Sequence, residues 1–222
     1  MKKYEYIIFD LDGTILDTLD DLTDSVNYAL DKHGYPARTK EEIRTFVGDG
    51  LLMLVRRAIA PETDETVIQT VLATQKAYYK DHCADKTRPY EGILELLGEL
   101  KMAGYKLAVV SNKADYAVQI LCEQYFPGMF HMTVGEKETV RKKPAPDSVY
   151  AVLEVLQAKK EQAVYIGDSE VDIETAKNAG LDAVLVTWGF RDTEFLREKG
   201  AKTLVNDVKE LKKALTNETF LL

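Results

Sequence analysis

The stretch that decides the fold is YIIFDLDGT, residues 6–14. It begins with four largely apolar residues and ends soon after an Asp-Gly pair, a pattern that predicts a buried strand running into a turn. Side chains two residues apart in an extended segment point to the same side, so the carboxyl groups of Asp10 and Asp12 should converge at the carboxyl end of this strand. Two carboxylates this close repel each other unless a cation or a shared proton holds them. An Asp-Gly pair alone can be a simple turn, but the preceding strand favours a divalent metal, a nucleophile beside an acid–base group, or both.

Composition indicates a folded protein and excludes two classes of partner. The chain has 222 residues, of which 45% are hydrophobic and 30% charged, as in ordinary globular proteins. Its net charge of −8 argues against nucleic-acid binding, which needs clustered Lys and Arg. No apolar run is long enough to cross a bilayer, and the first residues lack the apolar segment of a signal peptide. We therefore expect a cytoplasmic protein with no membrane partner, either a monomer or a homodimer.

Strand and helix signals alternate over most of the chain. Four short apolar runs predict strands at Tyr6–Phe9, 107–110, 163–166 and 183–186. Between them, Ile93, Leu96, Leu97 and Leu100 have the spacing of one helix face, and Val149, Val152, Leu153 and Leu156 have the same spacing. This alternation predicts an α/β fold with a doubly wound parallel sheet of the Rossmann type. Ligands bind such sheets at the carboxyl ends of the strands.

Residues from about 16 to 87 interrupt the alternation, because they show helical spacing and no convincing strand. Three apolar stripes are visible: Leu19, Leu22, Val26, Ala29 and Leu30; Leu51, Leu54, Val55 and Ala58; and Val67, Val71 and Tyr78. Thr39 and Glu42 have the spacing of a capping box. We predict a core formed by residues 1–15 and 88–222, with residues 16–87 inserted after the first strand as a helical cap domain. Such a cap would stand over Asp10 and Asp12 as a lid.

Three further polar clusters follow predicted strands or lie in a basic loop. Ser-Asn-Lys at 111–113 offers a hydroxyl, an amide and an ammonium, a set suited to phosphate oxygens. Arg-Lys-Lys-Pro at 141–144 places a basic run before a stiff proline. Gly-Asp-Ser-Glu-Val-Asp at 167–172 brings carboxylates to the end of another strand, which is what a Mg²⁺ site needs. Each cluster by itself is also compatible with a turn, a helix cap or a solvated loop.

Taken in order, the four clusters resemble the four motifs of the haloacid dehalogenase superfamily. The matching residues are DLDGT at 10–14, Ser111-Asn112, Lys143-Pro144, and Gly167-Asp168-Ser169 with Asp172. The resemblance covers nearly the whole chain and includes a helical cap after the first motif. Residues 47–58 are similar to the segment that the phosphoglycolate phosphatase-like branch carries there. The resemblance implies a Mg²⁺-dependent phosphatase acting on a small phosphorylated metabolite, with phosphoglycolate as the best guess.

The resemblance also assigns roles to the acidic residues. Asp10 would attack phosphorus and form an aspartyl-phosphate, and Asp12 would act as acid and then as base. The Asp10 carboxylate, the Asp12 main-chain carbonyl and Asp168 would hold Mg²⁺. Asp172 would support the metal waters or Asp168 from behind.

The same resemblance implies that the remaining site residues bind phosphate or substrate. Ser111, Asn112 and Lys143 would bind the phosphoryl oxygens, and Lys143 is preferred to its neighbour because the family's lysine directly precedes proline. Lys113 could reach the substrate or lie on the surface. Arg56 and Arg57 could clamp a substrate carboxylate or a second phosphate, and only one can face the cleft, since consecutive helical residues diverge by about 100°. Both could equally lie on the solvent face.

Several activities remain open at this level. Inorganic pyrophosphatases and 5'-nucleotidases share much of the pattern, and in a pyrophosphatase the two arginines would meet the second phosphate. A β-phosphoglucomutase-like phosphotransferase shares the core and the cap type. A binding module without catalysis would have no reason to keep both Asp10 and Asp12.

Overall fold

A parallel sheet built on the strand Tyr6–Phe9 organises the protein. The computed structural model describes residues 3–216. Its first elements are β1 Tyr6–Phe9, β2 Leu16–Asp17, α1 Leu19–Lys32, α2 Lys40–Phe46, α3 Leu51–Ala58, α4 Glu65–His82, β3 Arg88–Pro89, α5 Ile93–Met102, β4 Lys106–Ala114 and α6 Asp115–Tyr125. The rest are β5 Met132–Glu136, α7 Asp147–Val155, a 3₁₀ turn at Lys160–Gln162, β6 Ala163–Gly167, α8 Glu170–Ala179, β7 Asp182–Val186, α9 Thr193–Glu198, β8 Leu204–Val205 and α10 Val208–Thr216.

The six-stranded sheet has the order β5-β4-β1-β6-β7-β8, and all its pairings are parallel. Alternate side chains of β1 enter two separate cores, as the two-residue period of a strand requires. Ile8 packs with residues of α7 and α8, whereas Ile7 and Phe9 pack with residues of α5, α6 and α10. The predicted α/β fold is therefore confirmed, with helices on both faces of a parallel sheet.

All four predicted strands are present, and the prediction missed others. The strand predicted at 107–110 continues through Ser111, Asn112 and Lys113 in β4, although its pairing with β5 is irregular between Val110 and Ala114. The prediction did not include β5 or β8. Because β1 is flanked by β4 and β6, the polar residues at the ends of these three strands lie side by side.

Helices α1 to α4 lie between β2 and β3, and we call residues 18–87, which comprise these helices and their connecting loops, the helical insertion. The expectation of no strand in 16–87 is wrong at its first residues, because Leu16–Asp17 pairs antiparallel with Arg88–Pro89. Two-residue strands are too short to show a period in sequence. The division into a core and a cap domain stays a prediction, and its residues 1–2 and 217–222 lie outside the described residues.

The buried faces of the helical insertion agree with two of the three predicted stripes. The stripes on α1 and α3 are buried, and Thr39 forms the predicted capping box with Glu42. The third stripe is confirmed at Val71 but wrong at Val67, which is 37% exposed, and at Tyr78, which is only partly buried; the buried face of α4 consists of Ile68, Val71, Leu72, Gln75 and Tyr79. The error is a rotation of about one residue, and it assigned Tyr78 to the core in place of Tyr79. Among residues 3–216, no helix combines the length and apolar character that a membrane crossing requires.

Candidate active site

The turn after β1 places Asp10 and Asp12 at the carboxyl edge of the sheet. The amide of Asp10 still bonds to the neighbouring strand, donating to the carbonyl of Ile166 at 2.8 Å. The chain then folds back so that the carbonyl of Leu11 accepts from the amides of residues 14–16. Gly13 takes a positive φ of 79°, which glycine adopts without a steric penalty. The Asp-Gly pair therefore forms the predicted turn and also presents both carboxylates.

Lys143 joins two buried carboxylates. Its Nζ lies 2.9 Å from Asp10 Oδ1 and 2.8 Å from Asp172 Oδ1, and it donates to the Tyr165 hydroxyl at 3.1 Å. The ammonium is aligned with Asp172 and Tyr165 rather than with Asp10, so Asp10 Oδ1 accepts no well-aligned hydrogen bond among the described residues. Asp10 therefore has a nearby positive charge and an oxygen left open to another partner.

Burial sets the protonation of Asp10. Loss of solvent raises its pKa to about 7, the charges of Asp172 and Asp12 raise it as well, and Lys143 opposes them. Asp168 has the same character, because burial and then the Asp172 and Asp10 charges hold its pKa well above its usual range. Burial thus makes ionisation of both carboxyl groups costly, and a further cation in the site would offset that cost.

Asn112 positions Lys143. Its side-chain oxygen accepts from the Lys143 amide at 2.8 Å, and its side-chain nitrogen donates to the Lys143 carbonyl at 3.1 Å. The same nitrogen donates to the carbonyl of Gly48 in the helical insertion at 3.0 Å. The Asn112 side chain, which the sequence predicted to bind phosphate, is engaged with the backbone of Lys143 and of the insertion.

A close-fitting cradle holds Asp168. Its Oδ2 accepts from the amide of Phe190 at 2.7 Å, and its Oδ1 accepts from the Thr14 hydroxyl at 3.3 Å. A Cβ added at Gly13 would lie 2.3 Å from Asp168 Oδ2, and one at Gly189 would lie 2.4 Å from the same atom. Both positions must therefore remain without a side chain for Asp168 to face Asp10.

Gly13→Ala is expected to displace Asp168 and to lower activity by about 100-fold, the size of effect that a misplacement near 1 Å can have. Gly34→Ala is the matched control, because Gly34 has a similar φ of 73° and nothing within 4 Å of its added Cβ. Both variants should lose about 1–2 kcal/mol of stability to the left-handed backbone. Activity assays and thermal unfolding separate the two effects, and equal activity losses in both variants would contradict the cradle.

Asp12 has different partners from Asp10. Its Oδ1 accepts from the Thr18 hydroxyl at 2.7 Å and from Lys113 Nζ at 2.8 Å. Lys113 also donates to the hydroxyl of Tyr79 on α4 at 2.6 Å. Burial alone would lower the pKa of Lys113, but Asp12 and Tyr79 outweigh burial and raise that pKa above its ordinary value. Lys113 is buried, so the alternative that it lies on the surface is wrong.

Charged groups from the sheet and apolar groups from the helical insertion line one pocket. The insertion contributes backbone at Gly48 and Gly50 and the side chains of Leu22, Val47, Leu51 and Leu54. The pocket volume open to the centre of a water molecule is about 40 Å³. On the same measure, about 10–15 Å³ is enough to hold one water molecule. A compact ligand therefore fits between the strand ends and the insertion in this conformation.

The carboxylates at this edge fit a divalent cation. Oxygens of Asp10, Asp168 and Asp172 lie within 4.8 Å of one another. Asp172 already accepts from Lys143, from the Ser169 hydroxyl at 2.7 Å and from two backbone amides, so it supports the cluster from behind. If Asp10, Asp12, Asp168 and Asp172 are all ionised, they exceed the two buried ammonium groups of Lys113 and Lys143 by two negative charges. Hard oxygen ligands with that excess charge suit Mg²⁺.

The structure brings most of the predicted site residues together, but Arg56 and Arg57 lie outside the pocket. The pocket is lined by Asp10, Asp12, Ser111, Asn112, Lys113, Lys143 and Asp168 among others. Arg56 pairs with Glu65 at 2.7 Å, and Arg57 pairs with Asp49 and the carbonyl of Phe46. Neither arginine lines the pocket; both side chains are partly exposed and are held by these pairings.

Tyr79, Phe190 and Arg191 are among the contributors that the sequence reasoning missed. Tyr79 was missed because the stripe on α4 was assigned one residue out of phase. Phe190 contributes a backbone amide, which no sequence pattern reports. Arg191 lines the pocket and donates to Glu170 at 2.9 Å and to the carbonyl of Val47 at 2.7 Å. Its position immediately after Gly189-Phe190, just beyond the end of β7, was the available signal.

Comparison with known proteins gives matches along nearly the whole chain. A sequence model of the family described as haloacid dehalogenase-like hydrolase matches residues 7–186. A curated relative from Pseudomonas syringae pv. syringae, named phosphoglycolate phosphatase, is 32% identical over 217 residues, which are 95% of this chain and 79% of that one. Another of that name, from Chromobacterium violaceum, is 31% identical over 98% of this chain and 99% of its own. A crystal structure from Lactobacillus delbrueckii subsp. bulgaricus, provisionally described as a phosphoglycolate phosphatase, has a TM-score of 0.94 at 42% identity and covers 98% of this chain and 100% of its own.

Proposed function

The chain belongs to the haloacid dehalogenase-like hydrolases, and from this premise we propose a magnesium-dependent phosphatase that hydrolyses a small phosphorylated metabolite. The family and the curated relatives confirm the expectation of a phosphatase enzyme. The proposed mechanism and metal requirement rest on the arrangement around Asp10, a buried carboxylate at the pocket with Lys143 beside it and Asp168 opposite. A nucleophile, a phosphate-binding cation and a metal ligand are the groups that phosphoryl transfer to a carboxylate needs.

In the first half of the proposed reaction, an Asp10 carboxylate oxygen attacks phosphorus. The bond from phosphorus to the substrate oxygen breaks, and Asp12 donates a proton to that departing oxygen. Lys143 neutralises charge on the phosphoryl oxygens and Ser111 donates a hydrogen bond to them, while Asn112 keeps Lys143 in place through its backbone. The products of this half are the alcohol and an acyl phosphate on Asp10.

In the second half, Asp12 takes a proton from a water molecule that attacks the phosphorus. The acyl phosphate bond breaks, which regenerates the Asp10 carboxylate and releases inorganic phosphate. The residues that would hold Mg²⁺ are Asp10, Asp168 and the main-chain carbonyl of Asp12, and Asp172 keeps Asp168 and Lys143 oriented through its hydrogen bonds. When bound, the ion supplies charge stabilisation for the phosphoryl group.

We propose phosphoglycolate as the first substrate to test. The small pocket and the names of the curated relatives support a short substrate. The pyrophosphatase alternative loses its specific support, because Arg56 and Arg57 are paired elsewhere and do not line the pocket.

A panel of phosphorylated compounds tests this function. Phosphoglycolate, pyrophosphate, a nucleoside monophosphate and a hexose phosphate are each assayed for phosphate release, with Mg²⁺ and with a chelator. We expect phosphoglycolate to give the highest kcat/KM and chelation to lower it by about 100-fold or more, since the metal offsets charge in the transition state. Restoration by added Mg²⁺ supports the cofactor assignment. Undiminished turnover in chelator would refute it, and a preference for another compound would replace phosphoglycolate.

A further inference from the structure

The two oxygens of the Asp12 carboxylate have different surroundings. Oδ1 accepts two hydrogen bonds, from Thr18 Oγ1 at 2.7 Å and from Lys113 Nζ at 2.8 Å. Among the described residues, no side chain or backbone amide donates to Oδ2. Asp12 itself lines the pocket, and its side chain is 14% exposed. Oδ2 is therefore the oxygen left without a donor among residues 3–216.

We propose that Lys113 is a positioning residue for Asp12. Together with Thr18 it fixes Oδ1, so that Oδ2 faces the pocket as the atom that gives and accepts protons. The inference rests on the acid–base role proposed above for Asp12, and it replaces the expectation that Lys113 binds the substrate.

The position of Lys113 supports this role over substrate binding. Its side chain is only 1% exposed, and its ammonium is bonded to Asp12 on one side and to the Tyr79 hydroxyl on the other. Tyr79 is fully buried on α4. The lysine thus extends from β4 between the acid–base residue and the helical insertion, with its charge directed at a carboxylate of the protein.

The insertion also reaches Asp12 through the second donor. Thr18 directly precedes α1 and is buried, so both donors to Oδ1 depend on how the helical insertion sits on the sheet. Thr18 donates to Asp12 directly, from the residue just before α1. Tyr79 acts on Asp12 indirectly, from α4, by holding Lys113. The orientation of Asp12 is therefore set by contacts from both sides of the insertion.

The chemistry of the leaving group distinguishes positioning from binding. A nitrophenolate leaves phosphorus without a proton, whereas a phenolate or an alkoxide leaves much faster when an acid donates one. The value of kcat/KM reports the steps up to departure of this group, so it isolates the half-reaction in which Asp12 acts as acid. A variant that misplaces Asp12 should lose rate with poor leaving groups and keep it with good ones. A variant that loses a substrate contact should lose rate with all of them.

The experiment measures kcat/KM for para-nitrophenyl phosphate, phenyl phosphate and an alkyl phosphate with the full-length protein. Lys113→Met keeps the length of the side chain and removes its charge. We expect a loss of about 10- to 100-fold with the poor leaving groups, the range found when a supporting partner of a site residue is removed. With para-nitrophenyl phosphate we expect a loss of no more than about threefold, because that group does not need the acid.

Tyr79→Phe provides a second variant if Lys113→Met fails to fold. It removes only the hydroxyl that holds Lys113, and it should give a smaller loss with the same dependence on leaving group. Tyr125→Phe is the matched control, since the Tyr125 hydroxyl donates to the Thr87 carbonyl at 2.7 Å and has no contact with Asp12. It should leave all three values of kcat/KM within about twofold, as expected of a change away from the reacting groups.

Asp12→Asn separates failure of this inference from failure of the proposed function. If Asp12→Asn shows no dependence on leaving group, the acid role of Asp12 is wrong and the proposed mechanism fails at that step. If Asp12→Asn shows the dependence and Lys113→Met loses rate equally with every substrate, Lys113 binds substrate and the positioning role is overturned. Agreement between the two variants in the order of their losses supports the inference.

Discussion

Replacing Asp10 by Asn is expected to lower kcat by about four orders of magnitude or more, because removal of a catalytic nucleophile removes the reaction path itself. An amide oxygen is a far weaker nucleophile than a carboxylate, and Asn keeps the shape of the side chain. The loss should be the same for good and poor leaving groups, which distinguishes it from the loss in an Asp12 variant. Phosphate release from phosphoglycolate and from para-nitrophenyl phosphate measures both.

The fold should tolerate this change. Burial, Asp172 and Asp12 raise the pKa of Asp10 to about 7, so the folded protein favours the uncharged form of this group. A neutral amide of the same size relieves that unfavourable charge, and Lys143 keeps Asp172 as a partner. In metal-free buffer the midpoint of urea unfolding should therefore not decrease.

An exposed position gives the control for this variant. Asp31→Asn makes the same chemical change at an exposed site on α1, and it should leave kcat unchanged. Substantial turnover by a pure preparation of Asp10→Asn would show that another group attacks phosphorus. Loss of cooperative unfolding would show instead that the carboxylate is needed for the fold.

Sequence reasoning was strongest where chemistry and position were local. Asp10 follows an apolar run, Asp168 follows another, and parallel strands bring such ends together, so their meeting could be predicted without coordinates. Lys143 was chosen from two adjacent lysines by its place before Pro144, and it is the buried one. Its neighbour Lys142 reaches the carbonyl of Asp49 instead.

The contacts that sequence reasoning missed join distant parts of the chain. Lys113 and Tyr79 are 34 residues apart, and they meet only because α4 brings Tyr79 to the end of β4. Consecutive residues of a helix point about 100° apart. Assigning the buried face of α4 one residue out of register therefore selected Tyr78 instead of Tyr79 and concealed this contact. Arg191 meets the carbonyl of Val47 across 144 residues. Such pairings depend on how the helical insertion is oriented, which no local spacing records.

Replacing Lys143 by Met is expected to reduce both activity and stability. Loss of one preorganised charge at the phosphoryl group typically lowers the rate by about 100- to 1000-fold. The variant also leaves Asp172 without its cation in the interior, and breaking one side of a buried ion pair costs about 3–5 kcal/mol. Lys142→Met is the matched control, because Lys142 is a partly exposed neighbour whose pairing contributes about 1 kcal/mol or less. Urea unfolding of both variants in metal-free buffer measures the difference.

The pH dependence of that difference tests the electrostatic explanation. Lys143 holds the pKa of Asp10 down, so its removal should raise that pKa further above the value of about 7 in the intact protein. A carboxyl whose pKa is higher in the folded than in the unfolded chain loses stability as pH rises between the two values, because the folded state must give up a proton that the unfolded state has already lost. The loss of stability caused by deprotonation of Asp10 should end near pH 7 in the intact protein, whereas in Lys143→Met it should continue to higher pH. The gap between them should therefore widen from about pH 6 to about pH 8, and a gap independent of pH would mean that Lys143 stabilises the fold by packing alone.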